Sequence, residues 1–313
     1  MLAVAPLRPS DPRLFQIASL AILLAYGMAV LSFDVTAARA LLLVATALVV
    51  QLACTRLARL PAFDPWSALI SALSLCLLLR TNSAWLAAAA AAGAIASKFL
   101  FRWNGKHLFN PTNFALAAAI AVTGNAWVSP GQWGSAAFFA FGIACVGRFV
   151  VQRAARGDVT LAYIVVSVLF VTGRSLALGE PLGIPLHRLE SGALLLFAFF
   201  MISDPKTTPD SRIGRILFGA LVAAGAAYIQ FRLFRPNGAI WSLAFFSLFV
   251  PLFDLLWPGP RWTSGVAPFP RKGDLHASLL RLRPRPDSLV RRPLPASARL
   301  LRLLRGEGGR EAL

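Results

Sequence analysis

Chemistry-bearing side chains are scarce in this sequence. Its 313 residues include three cysteines, three histidines and 13 acidic residues. Cys54, Cys76 and Cys145 each sit inside an apolar run, and no CxxC, CxxCH or cysteine–histidine spacing occurs. That excludes a cysteine-built zinc, haem or iron–sulfur site and leaves the thiols as small core residues. Charge is also thin, at 14% of residues against 57% apolar, which is not the balance of a soluble globule. Of the 31 Lys and Arg, 12 fall in the last 57 residues, which hold only four acidic residues and so carry +8 of the net +18. No basic groove for nucleic acid is implied. The first apolar run follows Arg8 and Arg13, is about 20 residues long and carries no small-residue cleavage site, so it reads as a retained span.

What the sequence has in abundance is apolar runs. Against the ~20 residues needed to cross a hydrocarbon core, candidates lie near 14–33, 38–55, 66–79, 84–101, 111–129, 134–151, 159–177, 191–203, 213–231 and 237–256. The expected fold class is an all-α integral membrane protein of about ten transmembrane helices, with 1–257 as the membrane domain and 258–313 as a basic, Pro/Arg-rich tail. With the N-terminus inside, the inner loops carry 13 Lys/Arg and the outer loops six, which predicts a multi-pass protein with both termini cytoplasmic.

Two candidates are too short to span as straight helices. Trp66–Leu79 and Ser191–Ser203 are the third members of two successive sets of five, and both have Asp-Pro at one end, Asp64-Pro65 and Asp204-Pro205. Five spans per set would invert the second set relative to the first. Short or broken third and eighth helices in two inverted repeats, about 14–129 and 134–256, point to a site where the repeats meet. Gly93, Gly214, Gly219 and Gly225 are expected to let helix backbones approach closely in lipid.

Polar groups concentrate at two places. In GKHLFNPTNFALA, residues 105–117, Asn110 precedes Pro111 as a helix N-cap should, and His107 and Asn113 flank it. The positive helix end and two amides can cradle carbonyl oxygens or a phosphate. In MISDPKTTPDSRIGR, residues 201–215, Asp204, Thr207 and Thr208 end the short eighth span, with Arg212 and Arg215 as expected counter-ions. In the tail, Leu and Arg alternate over Ser297–Arg305 so as to suit a short helix on an anionic leaflet or on a partner.

Four blocks, FDPWSALISALSLCLLL, KHLFNPTNFALA, SGALLLFAFFMISDPKTTPDSRIGRILFGAL and NGAIWSLAFFSLFVPLFDLLWP, resemble the RnfD/NqrB family of membrane subunits of ion-translocating electron-transport complexes. The resemblance implies a bacterial inner-membrane location, other membrane subunits as partners, and a non-covalent riboflavin or FMN held by asparagines of an NxxNP segment. Asn110 matches the second of these, and His107 stands in place of the first. The family's S(G/Q)AT attachment motif for a second, covalent FMN has no counterpart in the connection Asn125–Gly134, so no covalent FMN is expected. The expected function is an RnfD-like membrane subunit that binds a flavin or quinone-like cofactor at the repeat interface. His107, Asn110 and Asn113 would hold the ring edge; Asp204, Thr207 and Thr208 would supply polar contacts or a cation path. A permease-like protein without redox chemistry and a structural or assembly subunit are the competing readings.

Overall fold

The computed structural model describes residues 3–4, 11–128, 142, 157–189 and 192–261. The sixth candidate span and nearly all of the C-terminal tail lie outside these residues. In chain order the described helices are α1 (Pro12–Ala29), α2 (Ala37–Leu57), α3 (Pro65–Leu78), α4 (Ala84–Leu100), α5 (Pro111–Thr123), α6 (Gly157–Ala177), α7 (Gly183–Leu189), α8 (Gly192–Leu196), α9 (Arg212–Phe231), α10 (Gly238–Ser247) and α11 (Val250–Leu256). Three two-residue ladders pair β1 (Ala3–Val4) with β2 (Ala62–Phe63), β3 (Leu79–Arg80) with β6 (Trp127–Val128), and β4 (Arg102–Trp103) with β5 (Lys106–His107).

Local chemistry sets six of the helix starts. Asp11, Thr36, Asp64, Ser83, Asn110 and Ser211 cap them, each side chain accepting from a backbone N–H of the first turn. Pro12, Pro65 and Pro111 occupy the first helical position, where the missing N–H leaves no bond unmade. The break between α10 and α11, a bend of 52°, falls at Pro251, which can neither donate to the carbonyl of Ser247 nor clear it sterically.

Among the described residues α2, α6 and α9 are each long and apolar enough to cross a membrane alone, and up to five spans result if each bent helix pair counts as one. α1, α3, α4 and α5 are apolar but shorter. Helices stand at every candidate position inside the described residues, the last of them as a bent pair. The third is short: α3 has 14 residues, which rise only about 21 Å. The eighth is broken: after five α-helical residues Phe197–Met201 continue as a π turn. Such turns concentrate at functional sites.

α6 packs most extensively on α9, and α9 also packs on α10; α2 packs on α3 and α4. Two glycines make the first pairings close. A Cβ on Gly219 would lie 2.6 Å from the carbonyl oxygen of Val159, and one on Gly225 would lie 2.5 Å from Ser242 Oγ. Gly93, expected to serve the same purpose, has nothing within 4 Å and plays no part in close packing.

Candidate functional site

The polar contacts of the helix ends sort into two groups. One group joins β3, β6 and the residues around Asp34 and Arg39; the other gathers α3, α5, α6 and α9 by their N-termini with the hairpin of β4 and β5. That hairpin owes its turn to Asn104-Gly105, both with positive φ (49° and 82°), the backbone a two-residue type I′ turn requires. The turn sets Lys106 and His107 on the incoming strand.

Lys106 is the centre of a charge network. Its Nζ donates to Asp210 Oδ1 at 3.1 Å and Asp254 Oδ2 at 2.8 Å, and Asp254 Oδ1 accepts from the Asp210 backbone N–H at 2.7 Å. Arg261 adds a weaker contact to Asp210 at 3.7 Å and donates to the Asn104 carbonyl. Nearby, Arg215 holds Asp158 by two bonds of 2.7 Å, tying α9 to the start of α6. Arg215 is therefore not the counter-ion of Asp204, and Arg212 is exposed. On the other half, buried Lys98 donates to the carbonyl and hydroxyl of Ser67 at 2.9 and 3.1 Å, and Arg13 bridges Asp11 and Asp64.

The six residues picked out by sequence fall into three structural roles. Asn110 Oδ1 accepts from the Asn113 N–H at 3.1 Å, and its Nδ2 donates to the Met201 carbonyl at the end of the π turn. Asn113 Nδ2 donates to the Ile240 carbonyl at 3.1 Å, while its buried Oδ1 has no donor. The two amides thus tie α5 to the broken eighth and tenth segments. Asp204, Thr207 and Thr208 form a local turn: Asp204 Oδ1 accepts from Lys206 N, and its carbonyl accepts from the backbone and hydroxyl of both threonines.

His107 Nδ1 lies 3.0 Å from the Lys98 carbonyl, and Arg102 Nε also donates to that carbonyl. Burial, with the charges of Lys206, Arg102 and Lys98, pushes the His107 pKa well below the ordinary imidazole value, so the ring is neutral in the fold. A depressed histidine pKa means that the unfolded chain takes up the proton first as pH falls, so stability declines below about pH 6.5. His107→Gln is expected to remove part of that acid sensitivity, read from unfolding midpoints in detergent between pH 7.5 and 5.5. Parallel midpoint profiles for the two proteins would contradict it.

A cavity of about 410 Å³ lies against the wall that the asparagines hold. Met201 and Ile240, whose carbonyls they bond, line it; Leu78 and Val128 reach it from the first half of the chain, and Tyr163, Phe197, Ala226 and Gln230 from the second. The lining is mostly apolar, with Tyr163, Ser167, Arg188, Gln230 and Asn237 as its polar points. Size and character suit a planar aromatic ring system with a few polar edge atoms. None of the six residues expected from sequence lines it. Asn110 and Asn113 stand one backbone carbonyl behind the wall, and His107 belongs to the hairpin. A lone carboxylate inside the apolar run 250–257 was the available signal for Asp254. Among the described residues no cluster of three or more His, Cys, Asp or Glu could hold a metal.

These features define a helical, multi-pass membrane protein with an internal cavity between its halves and a buried charge network at one end. Residues 120–259, a little under half of the chain, match the model of the NQR2, RnfD, RnfE family. It is similar to the D component of the ion-translocating oxidoreductase complex of Cronobacter sakazakii, 31% identical over 154 residues, 48% of this chain and 42% of that protein. It is also similar to the component of the same name from Escherichia coli O6:H1, 34% identical over 125 residues, 39% of this chain and 34% of that protein. The chain spans less than half the length of these relatives.

Proposed function

We propose that the chain is an RnfD-like membrane subunit of an ion-translocating oxidoreductase assembly, with a non-covalent flavin or quinone-like ring in the 410 Å³ cavity. The observation that carries this reading is the cavity itself: it is walled by both halves, and α5 amides fix the carbonyls behind two of its walls. A bound ring would supply the electron-transfer chemistry, and the protein binding, orientation and electrostatics. Tyr163, whose hydroxyl engages Ser167, together with Gln230 and Asn237 would meet the ring edge. Asn110 and Asn113 position the wall, and Asn113 Oδ1 keeps one acceptor free. The turn at Asp204, Thr207 and Thr208 ends the broken helix and so sets where Met201 lies. His107 anchors the hairpin that carries Lys106.

In this reading the two halves are inverted repeats, both termini are cytoplasmic in a bacterial inner membrane, and the charged end meets other subunits of the assembly. Filling the cavity tests it. Ala239→Phe and Ala193→Phe, each placing a phenyl ring in the lining, are expected to cut flavin or quinone content per purified chain about tenfold or more, with circular dichroism and elution volume unchanged. Unchanged cofactor content in both well-folded variants would exclude this cavity.

A further inference from the structure

A second concave surface lies on the outside of the molecule. α6, α9 and α10 form a groove of about 670 Å³ lined by Phe170, Ala224, Phe245 and Phe246 and closed at one end by Arg174 and Arg232. Phe170, Tyr228 and Phe245 are 45%, 59% and 56% exposed, so the groove opens outward. Its floor exists because Gly225 lets α9 and α10 touch, and the one hydroxyl there, Ser242 Oγ, is spent on the Val222 carbonyl. The floor therefore offers nothing polar.

The groove has a polarity gradient along the helix axes. Arg174 sits in the last turn of α6 and Arg232 caps α9, while Phe170 lies about 6 Å and Ala224 about 12 Å further into the helices by their rise. Tyr228, one turn below Arg232, stands between the two zones. Arg174 stacks over Phe231 at 4.7 Å and gives one nitrogen to Glu180 at 3.2 Å. Arg232 has no acidic partner among the described residues. Cations at helix ends at headgroup depth, with an aromatic and alanine channel beneath, fit one molecule with an anionic head and a long apolar tail.

From this we infer that the groove is a binding site for an anionic phospholipid, its phosphate held by Arg232 and Arg174 and one acyl chain lying along Phe170, Ala224, Phe245 and Phe246. The inference needs only that α6 and α9 cross a membrane, and is independent of any cofactor. The charge at the rim favours a lipid over the apolar face of a partner helix, which would leave Arg232 desolvated without a counter-charge.

Native mass spectrometry of the full chain in mild detergent, titrated with phosphatidylglycerol or phosphatidylcholine of equal chain length, tests this. Phosphatidylglycerol is expected to be retained about tenfold better, and Arg232→Gln to reduce that retention about fivefold. Arg174→Gln/Arg232→Gln should abolish the headgroup preference, and Ala224→Phe should weaken both lipids together. Arg232→Gln breaks no bond of the fold, so it keeps the test interpretable even if the double variant misfolds. Equal retention of the two lipids, or a preference untouched by Arg232→Gln, would overturn the proposal, as would a co-purifying protein that only Arg232 variants lose.

Discussion

Lys106→Met is expected to be the most damaging single charge removal in this protein. Lys106 is 11% exposed and neutralises Asp210 and Asp254, 7% and 20% exposed, which lie close enough to share a hydrogen bond through the Asp210 backbone. Taking away one partner of a buried ion pair costs about 3–5 kcal/mol, and Lys106 is the cation paired with Asp254 among the described residues. Asp210 keeps its contact with Arg261 at 3.7 Å. Thermal unfolding in detergent should show a large drop in midpoint for Lys106→Met and a smaller one for Lys106→Arg, which retains the charge with altered geometry. The double substitution Asp210→Asn/Asp254→Asn in the Lys106→Met background should recover part of the loss, since the repulsion is then gone. An unfolding midpoint for Lys106→Met within a degree of the parent would mean that the network is solvated and structurally idle.

Gly219→Val is the second large effect. The added Cβ would fall 2.6 Å from the Val159 carbonyl oxygen, 3.2 Å from Ala162 Cβ and 3.3 Å from the Tyr163 backbone nitrogen. Those neighbours are mostly backbone and cannot rotate away, so α9 must move off α6, the pairing the fold relies on most. Overpacking of this kind costs about 1–3 kcal/mol or more, and here it also shifts Tyr163 against the cavity. Gly93→Ala is the internal comparison: nothing stands within 4 Å of its new Cβ, so stability should hold or rise by up to about 1 kcal/mol from helix propensity. Equal unfolding midpoints for the two variants would contradict the packing account.

What could be read in the sequence was mostly local. A cap three residues ahead of the N–H it accepts from, as in Asn110 and Asn113, is visible in a single stretch; so is the Asp204 turn, and so is the shortness of α3. Lys106 meets Asp210 across 104 residues and Asp254 across 148, and only the tertiary fold brings them together. Arg215 illustrates the same limit. Nearness in sequence suggested Asp204, yet the first turn of α9 turns Arg215 toward α6, where Asp158 offers two oxygens in the plane its guanidinium prefers. The amide nitrogens of Asn110 and Asn113 both go to backbone carbonyls whose residues, and not the amides, line the cavity, a layering that no local stretch of sequence displays.

The central claim is that this chain holds a non-covalent aromatic redox cofactor between its halves. It is tested most directly by purifying the full chain from membranes in mild detergent, recording its visible spectrum, then denaturing it and analysing supernatant and pellet separately for flavin and quinone. The account predicts roughly one ring per chain, released entirely into the supernatant and depleted in the Ala239→Phe protein. A well-folded, colourless protein that carries neither cofactor and takes up neither when they are added would contradict it.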